Sequence, residues 1–126
     1  MFEQTVEFQF DAAHSLRGYD GKCARLHGHG YRVRVAIQGD QLDELGMLLD
    51  FRRVKETCRE TVDELDHVHL NDVPPFDAVN PTCENLARHL HERFAQALDG
   101  ARVRVAFVTV WETPTSAVTY RPEATT

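Results

Sequence analysis

Three histidines in the first quarter of the sequence are spaced so that they could bind one metal ion. His27 and His29 flank Gly28 just before a predicted strand, and residues two apart in an extended chain project to the same face. His14 follows the preceding predicted strand, which is the natural hairpin partner of the second. Three imidazoles from adjacent strand ends could hold Zn²⁺ with its fourth position open, as in catalytic zinc sites. The alternative is a loop with surface histidines, because a short His-x-His pattern often has no metal.

A cysteine stands four residues before this pair of histidines. Cys23 lies between Lys22 and Arg25, and nearby cations favour the thiolate form, which could act as a base or a nucleophile. Cys23 could instead be a fourth zinc ligand or an ordinary loop cysteine. Cys58 lies on the apolar stripe of a predicted helix and is expected in the core. Cys83 begins a second predicted helix, and the pattern leaves its role open.

An acid and a histidine are adjacent at the end of the first predicted helix. Asp66 could support a protonated His67 as an oriented acid–base unit. A histidine near a helix C-terminus is also stabilised by the helix dipole, and the pattern alone favours that structural interpretation. On the pattern alone, His69 could equally well be the acid–base histidine. His89 and His91 lie two apart on the second predicted helix, and we expect both to face solvent.

A carboxylate ends the third predicted strand and is followed by hydroxyl residues. Glu112 precedes Thr113 in this segment. A carboxylate can accept two parallel N–H bonds, so Glu112 suits a guanidine-like edge of a ligand. The alternative is a solvated acid at a hairpin.

These groups are positioned by elements in the predicted order strand, strand, helix, helix, strand, strand (ββααββ). Alternation of apolar residues predicts strands around residues 2–10, 30–38, 103–111 and 117–120. Apolar steps of three and four predict helices over 51–65 and 82–98, with Thr82 as N-cap and Gly100 as the stop. The order predicts an α+β fold, an antiparallel four-stranded sheet with two helices on one face, in a single domain spanning residues 1–126. Its open edges favour oligomerisation through the sheet.

Composition limits the possible partners. The 126 residues carry a net charge of −6, which argues against nucleic acid or an anionic membrane as partner. Residues 17–34 nevertheless carry five basic residues against one acid. Three cysteines without a C-x-x-C pair indicate reduced thiols and a cytoplasmic protein. The sequence predicts no signal peptide and no membrane span.

Five blocks of the sequence together resemble the 6-pyruvoyltetrahydropterin synthase / 6-carboxytetrahydropterin synthase family. They are Phe10-Asp11-Ala12-Ala13-His14, Cys23-x-x-x-His27-Gly28-His29, Leu65-Asp66-His67-x-x-Leu70-Asn71, Pro81-Thr82-x-Glu84-Asn85 and Glu112-Thr113. The resemblance implies a T-fold whose sheets assemble into a β-barrel around a central channel. It also implies a homo-oligomer, a hexamer built as a dimer of trimers, with active sites between subunits.

The resemblance further implies a role for each matching residue. His14, His27 and His29 match the zinc ligands, and Cys23 matches a catalytic thiol. Asp66 and His67 match its acid–base partners and could serve a neighbouring subunit's zinc. The residues that match the pterin pocket are Glu112, which anchors the amino-pyrimidine edge, with Thr113, Thr82, Cys83 and Glu84. Cys83 is an atypical residue at its position.

The three-residue spacer between Cys23 and His27 resembles the bacterial QueD type. That type converts 7,8-dihydroneopterin triphosphate to 6-carboxy-5,6,7,8-tetrahydropterin, acetaldehyde and triphosphate on the route to queuosine. We expect Lys22, Arg25 or Arg17 to meet the triphosphate. A close alternative is 6-pyruvoyltetrahydropterin synthase activity, without carbon–carbon cleavage. A remote alternative is a non-catalytic zinc- and pterin-binding module. A related group with glutamate at the thiol position is disfavoured by Cys23.

Overall fold

Five strands form one sheet in the computed structural model, which describes residues 1–123. The strands are β1 (Phe2–His14), β2 (His27–Gly39), β3 (Val68–His69), β4 (Arg104–Thr113) and β5 (Ser116–Tyr120), in the sheet order β3-β1-β2-β4-β5. β1 and β2 form an antiparallel hairpin that pairs from Phe2↔Gly39 to His14↔His27. β2–β4 and β4–β5 are antiparallel as well, so the sheet is mostly antiparallel.

The predicted count of four strands is wrong, because a fifth strand follows the first helix. β3 has two residues and pairs in parallel with Ala12 and Ala13 of β1. A two-residue strand is too short for an alternating pattern, so the sequence gives no period by which to find it. The element order is therefore ββαβαββ, and β3 and β5 end the sheet.

Two helices complete the α+β fold, α1 (Phe51–Leu65) and α2 (Cys83–Leu98). Their first turns are capped by side chains, since Asp50 accepts from the Arg52 amide at 2.8 Å and Thr82 accepts from the Asn85 amide at 3.1 Å. The predicted N-cap at Thr82 is thereby confirmed. α2 ends at Leu98, before Gly100, as expected.

The core lies between the helices and one face of the sheet. Val6, Phe8 and Phe10 of β1 are buried and alternate with exposed residues, as the period of two predicts. The helices contribute Val54, Cys58, Val62 and Leu65 from α1, and Leu86, Leu90, Phe94 and Leu98 from α2. Cys58 is fully buried, which confirms its core assignment.

The prediction that His91 faces solvent is wrong. Its side chain is buried, and Nε2 lies 2.9 Å from the Val105 carbonyl oxygen. α2 packs on both β4 and β5, and the His91 ring lies edge-on to Tyr120 at 5.3 Å. A helix that packs against two strands buries residues outside its apolar stripe. The Val105 carbonyl oxygen gives the buried imidazole a hydrogen-bond partner. His89 is half-buried.

Neither helix of the described chain has the length and apolar composition that crossing a membrane would require.

Candidate metal centre and active site

The last rungs of the β1–β2 hairpin bring three histidines together. His14 pairs with His27, and Ala12 pairs with His29, so all three rings project from the helix-facing side of the sheet. The ring centroids lie 4.6, 5.0 and 4.8 Å apart. The alternation of the two strands therefore converts a His-x-His pattern and a distant histidine into one compact group.

Backbone carbonyls determine which ring nitrogen carries the proton in two of these histidines. Nδ1 of His14 lies 2.7 Å from the Pro81 carbonyl oxygen, and Nδ1 of His27 lies 2.7 Å from that of Arg25. A carbonyl oxygen only accepts hydrogen bonds, so each Nδ1 donates, and in the neutral form of the ring Nε2 then keeps its lone pair. Such outer contacts orient metal-bound histidines.

The two lone pairs face each other across a short gap. His14 Nε2 and His27 Nε2 are 3.1 Å apart. Two nitrogen ligands at about 2.0–2.1 Å from a tetrahedral zinc ion would be separated by about 3.3 Å. The spacing of these two acceptors therefore fits a shared cation.

His29 and Glu112 complete the group. His29 Nε2 lies 3.1 Å from Glu112 Oε1, but the contact is poorly aligned and leaves the buried Nε2 without a hydrogen-bond partner. The donor atoms of His14, His27, His29 and Glu112 all lie within 4.8 Å of one another. Three imidazoles and a carboxylate form a donor set that fits zinc and could hold a metal ion.

Burial favours the neutral form of two of the three clustered histidines. It lowers the pKa of His14, although the hydrogen bond to Pro81 partly opposes the shift. Burial also lowers the pKa of His29, against the opposing effect of the Glu112 carboxylate. A neutral imidazole is the form that binds a metal, so the fold favours the ligating state.

Tyr31 of β2 contacts the histidine cluster on the buried face of the sheet. Its hydroxyl is 3.2 Å from His14 Nδ1, and the side chain is buried. Burial raises the pKa of this hydroxyl well above its usual value, so it remains protonated. The period of two places Tyr31 next to His29 on the same face, which is the only sequence signal for this contact.

Cys23 lies in a short 3₁₀ turn, Lys22–Ala24, between β1 and β2. It is half-buried, and its carbonyl oxygen accepts a hydrogen bond from the Leu16 amide at 3.0 Å. Within residues 1–123, the four-member donor group described above does not include the Cys23 thiol. The geometry therefore disfavours the alternative in which Cys23 is a fourth ligand from the same chain.

Among the basic residues of this loop, Arg17 is engaged inside the chain. Its Nη2 lies 2.6 Å from the Phe76 carbonyl oxygen and 3.1 Å from that of Val79. Lys22 and Arg25 are exposed. Of the three cations considered for a triphosphate, these two remain available to an external anion.

Asp66 and His67 form a close pair held by the backbone of β1. Asp66 Oδ1 lies 2.9 Å from His67 Nδ1 and accepts from the Asp11 amide at 2.9 Å. The His67 amide donates to the Asp11 carbonyl oxygen at 2.6 Å, and His67 adopts a left-handed conformation with φ 57°. The Asp11 hydrogen bond lowers the pKa of Asp66, so the carboxylate stays ionised. Asp11 is a positioning contact that the sequence pattern did not identify.

Two cavities meet at His67, whose side chain is 76% exposed. One, of about 360 Å³, is lined by Asp11, Asp66, His67 and Thr113, among others. The other, of about 570 Å³, is lined by both His67 and His29. His67 therefore borders a depression that reaches a member of the donor group.

The residues that the family resemblance assigns to a pterin pocket form contacts within the chain. Thr82 caps α2 and Glu84 is exposed. The buried Cys83 thiol donates to the Val110 carbonyl oxygen at 3.2 Å, and burial raises its pKa to about 11. Glu112 contacts the histidine cluster, whereas Thr113 lines the cavity beside His67, as neighbours on a strand face opposite sides.

Several known proteins that this chain resembles are named as tetrahydropterin synthases. A family model described as 6-pyruvoyl tetrahydropterin synthase matches residues 3–123. The 6-carboxy-5,6,7,8-tetrahydropterin synthase of Synechocystis sp. is 40% identical over 119 residues, covering 90% of this chain and 88% of that protein. The enzyme of the same name from Bacillus subtilis is 34% identical, covering 97% and 86%. The structure of Caenorhabditis elegans 6-pyruvoyl tetrahydropterin synthase has a TM-score of 0.87 at 27% identity, covering 97% and 96%.

Proposed function

Because this chain belongs to the 6-pyruvoyl tetrahydropterin synthase family, we propose that it is a 6-carboxy-5,6,7,8-tetrahydropterin synthase, a carbon–carbon lyase. It converts 7,8-dihydroneopterin triphosphate to 6-carboxy-5,6,7,8-tetrahydropterin, acetaldehyde and triphosphate, in the route to queuosine. The observation that carries the proposal is the pair of facing Nε2 atoms of His14 and His27, each with its Nδ1 bound to a carbonyl. Relatives of the same name cover most of the chain.

The resident metal in this proposal is Zn²⁺, held by His14, His27 and His29. Zinc would supply Lewis-acid polarisation of the substrate's side-chain oxygens. The carbonyls of Pro81 and Arg25 hold two of the rings in the ligating tautomer. The chain thus prepares the ligand geometry before the metal binds.

Proton transfer in this proposal belongs to Cys23, Asp66 and His67. The Cys23 thiol moves a proton on the substrate side chain, and His67 supplies the complementary acid. Asp66 orients the His67 ring through its 2.9 Å contact with Nδ1. His67 is largely exposed in the single chain, which supports an arrangement in which it acts at a neighbouring subunit's zinc.

Substrate recognition is assigned to carboxylates, hydroxyls and cations around the cluster. Glu112 accepts the amino-pyrimidine edge through two parallel N–H bonds. Thr113, Thr82, Cys83 and Glu84 line the pterin pocket. Lys22 and Arg25 contact the triphosphate, and both are exposed on the loop that carries Cys23.

The assembly and location belong to the same proposal. Residues 1–126 form one cytoplasmic domain that oligomerises through sheet edges into a β-barrel, as a hexamer of two trimers. The two edge strands, β3 and β5, are short and offer unpaired backbone groups for such contacts.

One competing activity has specific support, since the C. elegans structure is a 6-pyruvoyl tetrahydropterin synthase. Incubation of the zinc-loaded protein with 7,8-dihydroneopterin triphosphate separates the two. We expect 6-carboxy-5,6,7,8-tetrahydropterin by mass spectrometry, together with acetaldehyde trapped as its hydrazone. A 6-pyruvoyl product without acetaldehyde would assign the competing activity, and no product would refute both.

A further inference from the structure

Two asparagine side chains connect the loop that carries Cys23 to another part of the chain. We call residues 15–25, between β1 and β2, the thiol loop. Both asparagines lie in residues 70–81, between β3 and α2. Asn71 binds both backbone groups of Ser15. Its Oδ1 accepts from the Ser15 amide at 2.9 Å, and its Nδ2 donates to the Ser15 carbonyl oxygen at 2.9 Å.

Asn80 makes the same pair of contacts two residues further along the loop. Its Oδ1 accepts from the Arg17 amide at 2.9 Å, and its Nδ2 donates to the Arg17 carbonyl oxygen at 2.8 Å. Asn80 is itself fixed, because Asn85 in the first turn of α2 donates to the Asn80 carbonyl oxygen at 2.8 Å. Each carboxamide thus binds both the amide and the carbonyl oxygen of one loop residue, as a neighbouring strand would.

The residue between these two contacts holds the thiol turn. Leu16 lies between Ser15 and Arg17, and its amide donates to the Cys23 carbonyl oxygen at 3.0 Å. Asn71 therefore holds the peptide unit that contains the Leu16 amide, through the Ser15 carbonyl oxygen, and Asn80 holds the next unit, through the Arg17 amide. A polar loop without such contacts samples many conformations, and the Cys23 turn contributes no buried residue to the core.

We propose that Asn71 and Asn80 are positioning residues that hold Cys23 in place through Leu16. The inference rests on the proposed catalytic role of Cys23, but it concerns residues to which that role assigns nothing. His14 has two further contacts that the carboxamides do not make, its pairing with His27 and its bond to the Pro81 carbonyl oxygen. Loss of either carboxamide should therefore disturb the thiol more than the metal group.

The test replaces each asparagine with leucine, which has a similar size and no polar group. The matched control is Gln4→Leu, which removes a carboxamide bound to the Leu49 carbonyl oxygen at 2.8 Å, away from the thiol loop. If Asn71→Leu does not fold, Asn71→Asp keeps the acceptor for the Ser15 amide and replaces the donor to the Ser15 carbonyl oxygen by an anionic oxygen. Exchange of the Leu16 amide, alkylation of Cys23 by iodoacetamide, zinc affinity, kcat and KM are measured for each protein.

For Asn71→Leu and Asn80→Leu we expect Leu16 exchange and Cys23 alkylation to rise about tenfold, with kcat lower by at least tenfold. Zinc affinity should stay within threefold, and Gln4→Leu should change none of these. Unchanged exchange and alkylation would overturn the proposal, as would a fall in zinc affinity as large as the fall in kcat. Exchange and alkylation do not depend on turnover, so failure of the proposed function, seen as no product from the unaltered protein, is recognised separately.

Discussion

His14 Nε2 and His27 Nε2 lie 3.1 Å apart while the Nδ1 atom of each ring is bound to a backbone carbonyl. Two acceptors at this distance repel each other unless a cation lies between them. The arrangement could therefore hold a metal ion, and we expect a bound metal to contribute to the stability of the fold.

Removal of the metal should lower the thermal stability of the protein. At a free zinc concentration of 100 times Kd, binding adds about 2.7 kcal/mol to the free energy of unfolding. We expect zinc to raise Tm by several degrees in differential scanning calorimetry, and His27→Ala to abolish that rise. His89→Ala removes a half-buried histidine outside the cluster, and this variant should still show the zinc-dependent rise in Tm. A zinc-dependent rise that persists in His27→Ala would contradict the assigned ligand set.

Replacement of Cys23 by alanine should remove activity without removing metal or pterin. General acid–base groups contribute about 10²–10⁴-fold, so we expect kcat to fall by at least that range. Zinc content, measured by mass spectrometry of the metal, and neopterin binding should be unchanged. Cys58→Ala deletes a thiol from the core and should cost on the order of 1 kcal/mol of stability while activity persists. An active Cys23→Ala protein would exclude the thiol mechanism.

Asp66 should affect both turnover and acid stability. Its pKa is lowered in the folded protein by the Asp11 amide, so its stabilising contribution is present above the unfolded pKa near 3.9 and lost as pH falls through the lower folded value. Asp66→Asn should therefore differ in stability from the parent at neutral pH, and the difference should shrink below about pH 4. We also expect kcat to fall by about tenfold or more, because the His67 ring loses its oriented partner.

Glu64→Gln is the matched control for that substitution. Glu64 binds Arg93 through both oxygens, at 2.8 and 3.0 Å, and this interaction lowers its pKa as well. Its removal should change the acid limb of the stability profile in urea denaturation and leave kcat unaltered. Equal kinetics for Asp66→Asn and Glu64→Gln would limit Asp66 to a structural role.

Neutralising the exposed cations of the thiol loop should weaken substrate binding. We expect the double replacement of Lys22 and Arg25 by alanine to raise KM about tenfold, since charge-assisted bonds to phosphate are lost. Inhibition by inorganic tripolyphosphate should weaken in parallel. Arg52 and Lys55 are exposed cations on α1, and their double replacement should leave KM unchanged. An equal rise in KM for both double variants would show that net charge, rather than a contact with the triphosphate, determines substrate binding.

Glu112 is expected to anchor the pterin ring even though its carboxylate lies against His29. Glu112→Gln keeps the shape of the side chain but loses the charge-assisted double acceptor. Neopterin binding in isothermal titration calorimetry should weaken at least tenfold. Zinc affinity should remain within threefold. The reverse result would make Glu112 a fourth metal ligand.

The same alternating pattern explains why much of the site is predictable from sequence. Residues two apart on β2 share a face, so His27 and His29 were expected together, and the hairpin brought His14 to them. Thr82 at the start of α2 and Cys58 in the core followed from local rules as well. These predictions depend on periodicity and on neighbours in the chain.

The incorrect predictions involve contacts between distant segments. β3 pairs only two residues with β1, and His91 is buried because α2 packs against two strands at once. The expectation that Lys22, Arg25 or Arg17 meets the triphosphate stays a prediction, although Arg17 donates to carbonyl oxygens some sixty residues away along the chain. No local pattern encodes such partners.

Four of the five strands, both helices, the face that carries the histidines and the family to which the motifs belong could all be predicted from the sequence. The hydrogen bonds that orient His14 and His27, the bond from the Asp11 amide to Asp66 and the bonds of Asn71 and Asn80 to the thiol loop became visible only in the folded chain. The reason is physical: a period follows from backbone geometry within one segment, whereas a hydrogen-bond partner is fixed only when two segments meet in space.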